Sequence, residues 1–222
     1  MSLQINEFDM NSFSFDHLNI AIIGVDNKYL IKSLMWFFNS SNIQYGIVIS
    51  PMDKLNRVYI EYVPEEFIHH EYNDEILNRF THRQRTLRDQ NNSRSFLIID
   101  DIKYESDQMK DSVLHSTILN RRCYKICPLI FATQLPLQIA PEIRSNFDYI
   151  FLSNVIDLDH KRKIYELYAG IFPTFEQFNE IFDRLTENNC YMVIINSSKS
   201  IKLEDNIFWF KPFTVPEFMF SV

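Results

Sequence analysis

Short, uninterrupted apolar runs alternate along this chain with longer stretches in which apolar residues recur every three or four positions. Six of the runs read as strands: Asn19–Gly24, Tyr45–Ser50, Phe96–Asp101, Pro128–Thr133, Asp148–Ser153 and Tyr191–Asn196. They are rich in Ile, Val and Phe and continuously apolar rather than alternating, as expected of strands buried on both faces of a parallel sheet. The stretches between them predict helices over Lys28–Asn39, Asp74–Gln90, Ser106–Arg121, Leu158–Ala169 and Thr174–Glu187. Asn73 or Asp74 suits an N-cap for the second of these, and Thr174-x-x-Gln177 fits a capping box for the last. Gly170 is placed to end the fourth. Strand–helix alternation at this spacing predicts an α/β fold with a mostly parallel central sheet and helices on both faces. We expect an N-terminal extension over residues 1–18, one domain over 19–200, and an aromatic tail over 201–222, which can either dock on a partner or pack on its own sheet.

Composition narrows the function classes. The 222 residues hold only three glycines, Gly24, Gly46 and Gly170, where average usage of about 7% gives roughly fifteen. Glycine-rich loops let backbone approach an anion without a Cβ in the way. With no two glycines near each other, neither G-x-G-x-x-G nor G-x-x-x-x-G-K-[ST] exists here. Lys and Arg number 22 against 29 Asp and Glu, a formal charge of −7, which argues against a purely electrostatic nucleic-acid binder. Three scattered cysteines, Cys123, Cys127 and Cys190, read as reduced thiols rather than a disulfide framework. Residues 1–16 are polar and acidic, so no secretory signal is expected, and no apolar run is long enough to span a membrane. Neither Cys123-x-x-x-Cys127 nor His69-His70-Glu71 has the spacing of a zinc site.

In open α/β sheets ligands bind at the carboxyl ends of the strands, so the polar residues at those ends are the candidates for chemistry. Phe96-Leu97-Ile98-Ile99-Asp100-Asp101 delivers two carboxylates there. One can hold Mg²⁺ and the next can orient a water, or the pair can cap a loop and be solvated. Thr133-Gln134 ends another strand with a hydroxyl and an amide, able to read a γ-phosphate or to satisfy loop backbone. Gly24-Val25-Asp26-Asn27-Lys28 joins the first strand to the first helix, where a phosphate loop would stand, yet it is short and carries an acid. Basic residues gather at Arg79, His82, Arg83, Arg85, Arg88 and Arg94. Arg79, Arg83, Arg85 and Arg88 are candidates for nucleic-acid phosphate contact, or a solvated helix face.

The order of these pieces resembles the virion DNA-packaging ATPase family of nucleocytoplasmic large DNA viruses, within the FtsK–HerA superfamily of RecA-like P-loop motors. The likeness runs from about Ile20 to Asn196. Its segments are Ile22-Ile23-Gly24 with Tyr29–Leu34, Ile49–Asn56, Val63-Pro64 with Phe67–Tyr72, Ile76-Leu77 and Arg83-Gln84. Phe96–Asp101, Ala132-Thr133-Gln134, and Pro141-x-Ile143-Arg144-x-Asn146 followed by Asp148–Leu152 complete the series. The resemblance implies ATP and Mg²⁺ as cofactors. By position it implies Asp100 as metal ligand, Asp101 as the water-orienting acid, Gln134 on the γ-phosphate, and Arg144 as an arginine finger acting across a ring interface. It also implies duplex DNA, capsid proteins and a ring as partners, either a homo-oligomer or a hetero-oligomer with an active motor. The expected location is the host cytoplasm, in a virus factory, or the virion. The family's G-x-x-G-x-G-K-[ST] loop is replaced here by a degenerate one, with Gly24 and Lys28 as the remaining cofactor-binding candidates. Three readings follow: a divergent packaging ATPase with weak or no hydrolysis, an active one using Lys28 in a short loop, or a structural virion protein reusing the fold.

Overall fold

The computed structural model describes residues 4–13, 18–43, 45–87, 94–102 and 112–220. In chain order its principal elements are β1 (Asn19–Ile23), α1 (Lys28–Ser40), β2 (Tyr45–Ile49), α2 (Asp53–Asn56), β3 (Ile68–His69), α3 (Asp74–Thr86), β4 (Ser95–Asp100) and α4 (Val113–Asn120). They continue with β5 (Ile126–Thr133), α5 (Pro141–Arg144), β6 (Tyr149–Leu152), α6 (Leu158–Tyr168), α7 (Phe175–Leu185), β7 (Tyr191–Ile195) and β8 (Ile207–Phe210). One eight-stranded sheet runs in the order β3-β2-β4-β5-β1-β6-β7-β8. Every pair from β3 to β6 is parallel, and β7 and β8 are added antiparallel.

The continuous apolar runs are explained by two cores, one on each face. Because side chains alternate across a strand, Ile20 and Ile22 of β1, Ile98 of β4 and Ile130 of β5 meet Leu30, Leu34 and Phe38 of α1. Their neighbours Ala21, Ile23, Leu97, Ile99, Leu129 and Phe131 meet the other layer, formed by Leu77 of α3, Leu114 and Ile118 of α4, Ile164 of α6, and Phe178 and Phe182 of α7. Every residue of β1 and β5 is buried.

All six predicted strands form, and two more join them. β3 is only two residues long, too short to show a pattern. β8 lies within the aromatic tail and pairs with β7 from Ile207 opposite Ile194 to Phe210 opposite Tyr191. Beyond it, the Phe220 N–H donates to the Tyr62 carbonyl at 2.8 Å and its ring lies 4.5 Å from Phe96. Of the two roles open to the tail, it packs on its own sheet. Residues 4–13 join the same edge, where the Phe8 N–H donates to the Trp209 carbonyl at 2.8 Å.

Capping follows the sequence closely at two helices. The Asn73 side chain accepts from the Glu75 N–H at 2.7 Å, and the Thr174 hydroxyl accepts from the Gln177 N–H at 3.3 Å. α6 ends at Tyr168 with Ala169 as its cap, so Gly170 stands just past the cap as expected, although without the positive φ common at that position. Among the three glycines only Gly24 has a positive φ. The predicted starts of the helix at Ser106 and the ends of the helix at Gln90 lie outside the described residues.

Candidate functional site

The parallel strands aim their carboxyl ends at one rim of the sheet, and a 280 Å³ cavity opens there. Gly24, Lys28, Asp100, Asp101 and Gln134 all line it, together with Ser50, Asp53 and Tyr59. Strands β1, β4 and β5 are adjacent in the sheet. Residues far apart in sequence therefore meet because the strands that carry them end at the same level.

Gly24 ends β1 at φ +135°, and a Cβ there would stand 1.8 Å from the Ser153 hydroxyl. Both the backbone angle and the close approach of β6 therefore demand glycine. Its N–H donates to the Thr133 carbonyl at 2.9 Å, and its carbonyl accepts from the Asn27 side-chain amide at 2.8 Å. Asn27 stands at the N-cap of α1 yet makes no side-chain bond to the helix. Asp26 adopts a left-handed φ of +56°, and its carboxylate lies 3.2 Å from the Lys28 ammonium, both groups about half exposed or more. The one lysine of the loop thus already faces an anion within the loop.

Asp100 is held differently. The Ser50 hydroxyl donates to its Oδ2 at 3.0 Å and the Tyr59 hydroxyl donates to the same oxygen at 2.9 Å. Its Oδ1 has no hydrogen-bond partner among the described residues. Tyr59 is itself only 3% exposed, and its N–H donates to the buried Asp53 carboxylate at 2.9 Å. Burial raises the Asp100 carboxyl above the usual range, against the lowering effect of the two hydroxyls, and Asp101 and Asp53 push it up further. Burial and Asp100 likewise drive the Tyr59 phenol well above its ordinary value, so it stays a donor.

A raised carboxyl binds its proton more tightly in the folded chain than in the unfolded one. The charged form therefore destabilises the fold, a cost absent below the unfolded carboxyl range and complete once pH exceeds the folded value. Asp100→Asn, which keeps an acceptor for both hydroxyls, is expected to raise the thermal midpoint at neutral pH and to lose that advantage on acidification. Melting curves of both proteins from pH 3 to pH 7 check this, and a variant less stable than wild type at pH 7 contradicts it.

Asp101 follows in a left-handed conformation, φ +50°, and accepts from the Gln134 side-chain amide at 2.8 Å. Two oxygen-rich strand ends thereby form one unit across β4 and β5. Among the described residues no group of three His, Cys, Asp or Glu could hold a metal alone. Mg²⁺ is ordinarily held by one or two carboxylates with substrate phosphates and water, and Asp100, which lines the cavity with only its Oδ2 engaged, fits that donor set.

The other candidates lie apart. Arg144, at the end of α5, donates through Nε to the Ile139 carbonyl at 3.0 Å and stands 6.0 Å over the Tyr168 ring, outside the cavity. Arg79, Arg83 and Arg85 are exposed on α3; Arg85 donates to the Tyr124 hydroxyl at 2.7 Å, and Arg83 lies 5.3 Å over the Tyr45 ring. Arg88 falls outside the described residues. Ser50 and Tyr59 join the site beyond the residues singled out by the sequence pattern. Ser50 ends a strand and was open to the strand-end rule, whereas nothing local marks Tyr59, which reaches Asp100 across 41 positions.

This sheet with its rim cavity defines the class: a mostly parallel α/β fold of the P-loop-NTPase-like packaging ATPase type. The genome packaging NTPase B204 of Sulfolobus turreted icosahedral virus 2, solved in complex with AMP, superposes with a TM-score of 0.67 over 90% of this chain and all of that one, at 14% identity. B204, the DNA-packaging ATPase of Sulfolobus Turreted Icosahedral Virus, gives 0.64 over 90% of this chain and all of that one, at 17% identity. In sequence, the uncharacterized protein L437 of Acanthamoeba polyphaga mimivirus is 30% identical over 221 residues, covering 94% of this chain and 77% of that protein. The uncharacterized protein 088R of Invertebrate iridescent virus 3 is 31% identical over 208 residues, covering 93% and 78%. The chain belongs to the family of viral proteins that includes L437 and 088R. No model of a known protein family matches it. Among the described residues no helix is long and apolar enough to cross a membrane.

Proposed function

We propose that this protein is a divergent genome-packaging ATPase-like component of a virus, with weak or absent ATP hydrolysis. The observation that carries the reading is the rim cavity. It gathers Asp100, Asp101 and Gln134 at three neighbouring positions, while the loop that should grip phosphate is short and closed on itself by Asp26 and Lys28. In this reading Asp100 is the Mg²⁺ carboxylate, Asp101 orients water with Gln134, and Lys28 is the remaining phosphate contact. Bound ATP–Mg²⁺ would supply the phosphoryl group and the charge-neutralising cation. Phosphoryl transfer depends on positioned donors and charge, and removing one such donor costs ~10²–10³ in rate. A loop without clustered glycines and without a Lys-Ser/Thr pair loses several. We place the chain in the FtsK–HerA group, acting as a ring or beside an active motor on duplex DNA, with Arg144 facing a neighbouring subunit.

A second reading, an active ATPase, draws support from the ordered surroundings of Asp100. Two hydroxyls held on one carboxylate oxygen are an arrangement that an inactive chain has no need to keep. Steady-state turnover of ATP–Mg²⁺, with and without duplex DNA, separates the two. We expect wild-type turnover no higher than that of Asp101→Asn. Turnover abolished by Lys28→Ala and by Asp101→Asn overturns the first reading in favour of the second. Absence of duplex binding even at low salt, where phosphate contacts are strongest, overturns both in favour of a structural role.

A further inference from the structure

A second cavity, also 280 Å³, opens at the opposite end of β2. It exists because β3 is so short. The Ser50 N–H donates to the His69 carbonyl at 2.9 Å, and β3 pairs only with Val48 and Ile49. Strand N–H groups alternate in direction, so Val48 and Gly46 point the same way as Ser50. Gly46 pairs with Phe96 on its β4 side, but on its other side β3 has not yet begun and no β3 residue pairs with it, where it lines the cavity. Glycine is required there, because a Cβ would stand 2.3 Å from the Phe96 ring. The walls are apolar, with Phe80 of α3 on one side and Phe96 and Phe220 on the other.

The rim is basic. Arg79 and Arg83 are four residues apart on α3 and so share a face; both line the cavity, as does His69. Glu66 is the one acid on the rim, and no ion pair joins it to either arginine among the described residues. His69 is held below its ordinary value by burial and by Arg79, so it adds a neutral ring.

We infer that this cavity binds an amphipathic carboxylate, with its aliphatic body against Phe80, Phe96 and Phe220 and its carboxylate on Arg79 and Arg83. The size lies just below the usual range of ligand pockets, roughly 300–1,000 Å³, which suits a single short chain. A nucleobase fits the chemistry less well, because its polar edge would meet an apolar wall and stay unpaired. This site is distinct from the rim cavity of the proposed function and does not rest on it.

Decanoate, below its micellar range and in phosphate-free buffer, is the probe, with decanol as its neutral counterpart. Calorimetric titration of the full chain is expected to show saturable binding, decanoate tighter than decanol by roughly tenfold or more, since charge-assisted hydrogen bonds are the strong ones. In Arg79→Gln/Arg83→Gln, at two exposed positions of which Arg83 also donates to the buried Gln84 side chain at 2.9 Å, decanoate is expected to fall to the affinity of decanol, while thermal melts check that the fold is kept. Equal binding of the two probes to wild type overturns the inference, as does decanoate binding unchanged in the double variant. A double variant that loses duplex DNA affinity while keeping decanoate binding assigns the arginines to nucleic acid instead.

Discussion

Gly24→Ala is expected to destabilise the protein by roughly 2–6 kcal/mol, from about 1–3 for the strained φ and about 1–3 for overpacking. The φ of +135° belongs to glycine, and the new Cβ would stand 1.8 Å from Ser153 Oγ and 2.9 Å from Ser153 Cβ. These two costs are separable. Ser153→Gly removes both side-chain atoms that clash but leaves the backbone angle, so the double variant Gly24→Ala/Ser153→Gly should recover only the overpacking share. At roughly 2–4 °C per kcal/mol for a chain of this size, the single variant falls by a readily measured margin in thermal melts. A midpoint within a degree of wild type contradicts the expectation. Full recovery in the double variant would show that the backbone relaxes to an ordinary angle once Ser153 is trimmed.

The same glycine shows what sequence could and could not reveal. Continuous apolar runs such as Phe96–Ile99 predict buried parallel strands, and the rule that ligands sit at strand carboxyl ends then singles out Gly24, Asp100, Asp101 and Gln134. The strands form and these four residues line one cavity. What stayed hidden depends on contacts between distant segments. Tyr59 has no periodic signal, and its role on Asp100 is set by where 57–63 packs over the ends of β2 and β4. β8 is masked by its setting, an Ile-Phe-Trp-Phe run followed at once by Lys211 and Pro212 in a stretch with no partner visible in the sequence. Arg79 and Arg83 stood out by charge, but the apolar cavity behind them is completed by Phe220, 137 positions beyond Arg83 (220 − 83).

Asp26→Asn is expected to strengthen the binding of ATP–Mg²⁺ or of pyrophosphate at the rim cavity by about tenfold, with screening by solvent taken into account. The wild-type carboxylate acts twice against a phosphate: it occupies Lys28 at 3.2 Å and adds a negative charge to the same wall. Asparagine tolerates the left-handed φ of +56° as well as aspartate does, so the substitution changes charge with little change of backbone. The gain should vanish in Asp26→Asn/Lys28→Ala, because the released ammonium is what the phosphate meets. Calorimetric titration of the three proteins at one ionic strength reads the result. Equal affinity in wild type and Asp26→Asn would show that the ion pair is not what limits the loop. No detectable binding in any of them would instead remove the nucleotide reading of the cavity itself. Tighter binding without turnover would mean that a phosphate can be held with Lys28 alone, while transfer still lacks the backbone donors and hydroxyl that a longer, glycine-rich loop provides.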